Sequence, residues 1–169
     1  ITNQKISIPG RSLSIEMDIG DIKHKILATY APSTPRQRRV FFEKINMEEN
    51  SDLPIIWGGD FNHIENPSLD REGPILDSSN KTNTVGSTQV KIFQNNNNLI
   101  DPFRHENPTK KEFTWHKSCE PKVYTRIDKI LIPKTHLINH TTKMVAAPHK
   151  VGTLAPVSYT HLRAHETCP

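Results

Sequence analysis

The amino-acid sequence predicts an α/β sandwich, because two helix patterns are interleaved with about seven short strand patterns. The chain has 169 residues, a length typical of one domain. Hydrophobic residues make up 34% of the chain and the mean hydropathy is −0.61, which are the values of a polar but folded domain. No apolar run approaches the roughly 20 residues that a membrane span needs. We therefore expect no membrane partner.

The first strand patterns predict an antiparallel pair. Apolar and polar residues alternate over residues 12–17, as in a half-buried strand. Gly20-Asp21 predicts a hairpin turn. Residues 25–30 predict the partner strand, which runs into Tyr30-Ala31-Pro32.

A helix is predicted to follow this pair. Ser33 or Thr34 can cap it, and Pro35 suits its first position. Phe41 and Ile45 lie at the spacing of a core-facing side. We expect the helix to end near residue 50.

A buried strand is predicted next. Residues 53–57 form a short, continuous apolar run, and Gly58-Gly59 ends it. Asp60, Asn62 and His63 then stand at the mouth of the strand, where a rigid element can aim an exposed loop. This is a typical place for catalytic groups.

The remaining elements are shorter. Residues 64–86 predict a long functional loop, with 70–73 as its ordered part. Residues 87–94 predict a second helix with Val90 and Phe93 inward, and the asparagine run at 95–98 ends it. Further strands are predicted at 112–116, at 123–132 and at 142–147.

Three local patterns carry the candidate chemistry. They are Tyr30-Ala31-Pro32, Gly59-Asp60-Phe61-Asn62, and Thr114-Trp115 followed by Arg126-Ile127-Asp128-Lys129-Ile130-Leu131. Each alone has a plain explanation: a strand-end tyrosine, an Asx-rich turn and a surface ion pair. In this order, however, they resemble the endonuclease/exonuclease/phosphatase family. The resemblance is closest to the endonucleases of non-LTR (LINE-type) retrotransposons, and it covers residues 12 to about 147.

This resemblance implies a four-layer αββα sandwich of the DNase I-like type, incomplete at both ends. We expect residues 1–150 to be a partial domain and 151–169 an unrelated or disordered tail, which from Pro156 is similar to sequencing-adaptor read-through. The family's magnesium-binding Glu and its Ser-Asp-His motif find no match, and His149 is the nearest candidate for the histidine. The chain alone is therefore expected to be inactive or nearly so.

The candidate residues suit phosphodiester hydrolysis. Asp60 can hold or deprotonate a water molecule, and the Asn62 amide and Tyr30 hydroxyl can donate to a phosphate oxygen. The resemblance implies that Asp128 orients a histidine near the scissile phosphate. Asp60 and Asn62 are also candidate ligands of Mg²⁺, or of Mn²⁺ in its place, at a second metal site distinct from the one that the family's Glu would form. Arg71 is a candidate for binding substrate.

The net charge of the chain also favours a nucleic-acid substrate. The net charge of +4 suits a polyanion such as DNA, although many unrelated domains share it. Lys110-Lys111 and the stretch Arg36–Arg39 are either solvated charge or DNA contacts, whereas Arg126 is expected to form a structural ion pair. The resemblance implies fusion to a reverse transcriptase, an intracellular and nuclear location, and a monomer.

Two other functions stay open. A phosphatase or phospholipid phosphodiesterase could have the same fold, since fold does not determine substrate. A remnant that binds nucleic acid without cleaving it is the alternative from another class. Zinc binding by His161, His165 and Cys168 is disfavoured, because the second half of a zinc site has no counterpart.

Overall fold

The computed structural model describes residues 1, 3–74, 84–117 and 120–138. They form a six-stranded mixed sheet, a small three-stranded sheet and three α-helices. The strands are β1 Asn3–Ile8, β2 Ser12–Ile19, β3 Ile22–Tyr30, β4 Ile55–Asp60, β5 Arg71–Glu72, β6 Leu99–Ile100, β7 Trp115–His116, β8 Tyr124–Thr125 and β9 Asp128–Pro133. The helices are α1 Pro35–Glu48, α2 Ser87–Asn96 and α3 Pro102–Glu106, and a 3-10 helix spans Lys134–Ile138.

The large sheet has the order β1-β2-β3-β4-β9-β6, and the small one the order β5-β8-β7. Strands β1 to β3 form an antiparallel meander, β4 joins β3 in parallel, and β9 runs antiparallel to β4. Parallel neighbours need a crossover connection, which α1 supplies between β3 and β4. Because they run in parallel, β3 and β4 end at the same edge of the sheet.

The core lies between this sheet and the helices α1 and α2. The rings of Phe42 and Phe93 contact Trp57 edge-on, with centroids 6.0 and 4.7 Å away. The buried cluster comprises Leu27, Ala31, Phe41, Phe42, Ile45, Ile55, Trp57, Phe61, Val90, Phe93, Leu99 and Leu131. Each large side chain buried in this way stabilises the fold by roughly 1.5–3 kcal/mol. No helix in the described ranges has the length and hydropathy of a membrane span.

The other face of the large sheet is apolar and open among the described residues. Strand pairing sets Leu13 against Ala28, Ala28 against Gly58, and Gly58 against Ile130, so all four share one face. Leu13 is 38% exposed and Ile130 is 47% exposed. We call this surface the open face. A helix layer on one sheet corresponds to one half of the predicted four-layer sandwich.

Several predicted elements are confirmed with small shifts. The antiparallel pair is β2 and β3, and the helix begins at Pro35. Thr34 occupies the cap position, but its hydroxyl bonds the Gln37 side chain instead of a backbone N–H. The second helix has Gly86 at its cap position, and Ser87 is its first residue.

Other predictions were wrong in their bounds. Strand β4 continues to Asp60 instead of ending at Gly58, because its ladder with β3 and β9 runs that far. The single strand predicted over 123–132 is divided into β8 and β9, and only Trp115–His116 of 112–116 is a strand. Strand β1 and helix α3 were not predicted. The predicted strand at 142–147 lies outside the described residues.

Candidate active site

Three predicted site residues lie in one row across the large sheet. Tyr30, the last residue of β3, pairs with Asp60, the last residue of β4. Asp60 pairs in turn with Asp128, the first residue of β9. Directly paired residues share a face and lie about 5 Å apart per strand. The side chains of Tyr30, Asp60 and Asp128 therefore leave the sheet on the same face, at its edge.

The fourth predicted residue, Asn62, is held against Asp60. Its backbone N–H donates to Oδ1 of Asp60 at 2.7 Å. Its amide nitrogen donates to the Ala31 carbonyl at 2.7 Å and reaches Oδ2 of Asp60 at 3.3 Å. Asn62 has φ of +48°, in the left-handed region that asparagine tolerates better than most residues. The turn after β4 thus holds Asp60 and Asn62 as one unit.

Gly59 makes this arrangement possible. Its φ is +140°, and a Cβ there would lie 1.9 Å from the carbonyl oxygen of Thr29. Only glycine allows β4 to approach β3 so closely at this position. Its neighbour Gly58 is less restricted, since a Cβ there would meet nothing nearer than the Ile130 side chain at 3.6 Å.

The electrostatics of the row favour a proton or a cation. Burial, and after it the negative charge of Asp128, raises the pKa of Asp60 from 3.8 to about 7. The N–H of Asn62 and the positive charge of Arg38 act in the opposite direction. Desolvation of its carboxyl group also raises the pKa of Asp128, although that residue as a whole is exposed. Two adjacent carboxylates resist ionising together unless a cation or proton is shared.

Thr114 holds Asp128 in place, a role that the sequence did not reveal. Its hydroxyl oxygen accepts the backbone N–H groups of Ile127 and Asp128, both at 3.1 Å. Its hydrogen bond to the Asp128 carboxylate lowers the pKa of that group. The signal in the sequence was Thr114-Trp115 as part of the third pattern, but the contact crosses from the segment before β7 to β9.

Arg38 differs from its neighbours in the stretch Arg36–Arg39. Solvated charge was one expectation for all of them, and for Arg38 it was wrong, because this side chain is 1% exposed. Its guanidinium donates to the carbonyls of Val85 and Ser33, each at 2.8 Å. It thereby ties α1 to the loop before α2 and places a positive charge near Asp60.

Arg71 and Arg126 are both buried, and each is held by contacts within the protein. Arg71 is buried and donates to the carbonyls of Gly73 and Pro74, so its contact with substrate stays a prediction. Arg126 forms buried ion pairs with Asp70 at 2.9 Å and Asp101 at 2.8 Å. This is the structural ion pair that was expected for Arg126.

The row offers oxygen donors for a cation. Within the described part of the chain, no group of three or more His, Cys, Asp and Glu side chains could hold a metal ion. Asp60, Asp128 and the side-chain oxygen of Asn62 nevertheless fit the preference of Mg²⁺ for oxygen ligands. His149 and the residues of the tail lie outside the described ranges.

The sequence has a relative among transposon proteins. No profile of a known protein family matches the chain. The chain is 31% identical over 137 residues to the "Transposon TX1 uncharacterized 149 kDa protein" of Xenopus laevis. This match covers 78% of the chain but only 10% of the length of that protein.

Solved structures of an AP endonuclease, an APE2 catalytic domain and a 3′ phosphatase share the fold. AP endonuclease LMAP from Leishmania major has a TM-score of 0.58 at 17% identity, covering 74% of this chain and 46% of that one. The Xenopus laevis APE2 catalytic domain has a TM-score of 0.51 at 22% identity, covering 75% and 46%. The 3′ phosphatase NExo from Neisseria has a TM-score of 0.52 at 15% identity, covering 79% and 59%.

The chain thus spans about half the length of these solved structures. At identities below 25%, the structural similarity establishes the fold but not the activity, which has to be inferred from the residues of the site. The solved structures confirm the DNase I-like fold that the three motifs implied. The chain therefore shares its fold, the predicted DNase I-like fold, with AP endonuclease LMAP and the APE2 catalytic domain, and it is similar in sequence to a transposon protein.

Proposed function

We propose that this chain carries part of the active site of a Mg²⁺-dependent DNA endonuclease. The observation that supports it most is the row of Tyr30, Asp60 and Asp128, with Asn62 bonded to its central carboxylate. Four residues from three separate motifs meet on one face at one edge of the sheet. Phosphodiester hydrolysis needs this combination of a base, hydrogen-bond donors and cation ligands.

Asp60 is the general base in this proposal. Its pKa of about 7 leaves a substantial ionised fraction at neutral pH while keeping the carboxylate basic enough to accept a proton from water. Asn62 orients it through two contacts. The 3.3 Å contact from the Asn62 amide to Asp60 is long, so that hydrogen can turn to a non-bridging phosphate oxygen.

Tyr30 and Asp128 flank the base. Tyr30 is 42% exposed, so its hydroxyl can donate to the same phosphate. Asp128, held by Thr114, can orient a neighbouring cationic group, as its resemblance to the family carboxylate implies. Neither residue needs to move a proton for this role.

Asp60, Asn62 and Asp128 would hold Mg²⁺, and Mn²⁺ could replace it. Such an ion would neutralise phosphate charge and stabilise the leaving oxygen. The described residues supply too few anionic ligands for a complete site, since no cluster of three is present among them. We therefore propose that the chain alone cleaves DNA weakly or not at all, and that further ligands come from flanking parts of a longer protein.

The biological setting is proposed from the relatives. A transposon protein is 31% identical to this chain, and AP endonucleases share its fold. Together with the charge of +4, this supports nicking of target DNA by a nuclear protein that also contains a reverse transcriptase. We propose that the domain acts as a monomer.

A phosphatase is the second candidate. NExo, which has this fold, is a 3′ phosphatase whose structure contains a product DNA hairpin. An oligonucleotide with a 3′-phosphate and a supercoiled plasmid distinguish the two activities. Release of phosphate without nicking would favour the phosphatase.

The central experiment replaces Asp60 with Asn in a domain-length protein that contains the chain and its flanking sequence. Nicking of supercoiled plasmid with Mg²⁺ should fall by about 10²- to 10⁴-fold, the usual contribution of a general base. DNA binding should persist. Asp18→Asn is the matched control, since Asp18 is an exposed aspartate on β2. Undiminished nicking by Asp60→Asn would refute the proposed function.

A further inference from the structure

The turn between β1 and β2 places Arg11 next to the row formed by Tyr30, Asp60 and Asp128. The backbone N–H of Arg11 donates to the Ile8 carbonyl at 2.9 Å, which closes a four-residue turn. Pro9 and Gly10 occupy its central positions, and Gly10 has φ of +67°. Proline followed by a residue of positive φ is the signature of a type II turn. The turn therefore sets the direction in which Arg11 leaves the hairpin.

Arg11 stands directly beside Tyr30. The Tyr30 N–H donates to the Arg11 carbonyl at 2.8 Å, one step beyond the pair Ser12 and Thr29. The guanidinium carbon lies 4.8 Å from the centre of the Tyr30 ring, and Nη1 lies 3.4 Å from the Tyr30 carbonyl oxygen. Arg11 thus extends the row to four positions: Arg11, Tyr30, Asp60 and Asp128.

The charge of Arg11 is not neutralised within the described residues. The ion pairs within 4.0 Å in that part of the chain involve other cations. A guanidinium has five N–H donors in a planar fork that suits phosphate, and here one makes a long contact. Stacking on the Tyr30 ring holds the side chain in place before any ligand arrives.

Distance along the row suggests what Arg11 binds. It stands two strands from Asp60, which corresponds to about 10 Å between their Cα atoms. A side chain of this length can therefore reach a phosphate next to the one being cleaved, while Asp60 acts on the scissile one.

We infer that Arg11 is a substrate-binding residue that holds the DNA backbone phosphate flanking the scissile phosphate. The inference rests on the proposed function, because it assumes that a nucleic-acid strand lies along the row. Its contribution is to binding and register, and Asp60 remains the base.

Binding of the 169-residue chain to a 20-base-pair DNA duplex, measured over a range of KCl concentrations, tests the inference. Each phosphate contact contributes about 0.9 to the slope of log K against log[salt]. Arg11→Gln should reduce the slope by about that amount, and Arg11→Lys should largely restore it. Lys23→Gln is the matched control, because Lys23 is an exposed cation at the opposite end of β3 from Tyr30. Equal effects of Arg11→Gln and Lys23→Gln would overturn the inference.

Methylphosphonate scanning of the DNA keeps the inference testable if Arg11→Gln does not fold. The domain-length protein, whose cleavage position can be mapped, should lose affinity about tenfold when the phosphate flanking that position is made neutral, and its Arg11→Lys variant, which keeps the charge, should show the same loss at the same phosphate. Equal affinity for every neutralised position would overturn the inference. Failure of the proposed function gives a different result. In that case the domain-length protein with Asp60→Asn would still nick plasmid DNA, whatever effect Arg11→Gln has on the salt dependence of binding.

Discussion

Asp60 and Asp128 are direct cross-strand partners, so two carboxylates face each other at the point where β4 ends and β9 begins. Each is desolvated, and the charge of Asp128 adds to the effect of burial on Asp60. Carboxylates with pKa values shifted in this way are typical of functional sites, where their repulsion favours binding of a cation or keeps a base protonatable near neutral pH. The first two predictions follow from this pair.

Replacing Asp128 with Asn should lower the pKa of Asp60 below its value of about 7. The substitution removes the neighbouring negative charge, so ionisation of Asp60 becomes easier. Carbon-13 NMR titration of the aspartate carboxyls, in EDTA, measures this directly. As a control, Asp18→Asn should leave the pKa of Asp60 unchanged. An unchanged pKa of Asp60 in Asp128→Asn would refute the coupling between the two carboxylates.

Stability should fall as pH rises from about 3.8 to about 7, the interval between the pKa of Asp60 in the unfolded chain and its pKa in the folded protein. The folded protein holds a proton on Asp60 up to about pH 7, whereas the unfolded chain releases it near 3.8. Between these values the folded state binds more protons, so its stability decreases with pH by up to about 1.4 kcal/mol per unit. This loss is absent below pH 3.8 and complete above pH 7.

Asp60→Asn should remove that dependence. Asparagine cannot ionise, so the variant should be more stable than the wild type at pH 8, by roughly 2–4 kcal/mol, and similar to it at pH 4. Urea unfolding in EDTA at both pH values measures the difference. A wild-type stability that rises from pH 4 to pH 8 relative to Asp60→Asn would contradict the expected sign.

Thr114→Val should weaken catalysis more than stability. The hydroxyl holds the backbone at Ile127 and Asp128, both at 3.1 Å, and contacts the Asp128 carboxylate. We expect kcat to fall about tenfold, corresponding to roughly 1.4 kcal/mol, with KM little changed. Thr114→Ser keeps the oxygen and should retain most activity. Equal losses in both variants would mean that the methyl group matters, and not the hydrogen bonds.

Gly59→Ala should prevent the strand ends from closing. The added Cβ would lie 1.9 Å from the Thr29 carbonyl oxygen, and φ of +140° is unfavourable for alanine. We expect a destabilisation of roughly 3 kcal/mol or more, seen as a fall in Tm. Gly58→Ala is the matched control, because its Cβ would make ordinary contact at 3.6 Å, and it should cost about 1 kcal/mol or less.

Much of the fold could be predicted because its patterns are local. Alternation identified β2, helical spacing and Pro35 identified α1, and the apolar run identified β4. Strand β1 was not predicted because most of its residues are exposed, which leaves a weak apolar signal. The break between β8 and β9 was not predicted either, because it depends on Arg126 reaching Asp70 and Asp101 in distant segments.

The site was also predictable in part, because its motifs are local in sequence. Tyr30, Asp60 and Asp128 follow from motifs at strand ends, but the register that sets them side by side depends on pairing between distant strands. His63 also follows the apolar strand, yet it is 1% exposed and packs against Phe42 and Phe61. Its location at the strand mouth therefore did not indicate an accessible group.

The open face has a consequence for how a substrate approaches. Leu13 and Ile130 project from the same side of the sheet as Tyr30 and Asp60, one pleat further from the edge. Any protein layer that covers these aliphatic side chains would also lie beside the carboxylates of Asp60 and Asp128. The row would then lie at the bottom of a cleft, and a bound nucleic-acid strand could enter only along the line of the strand ends.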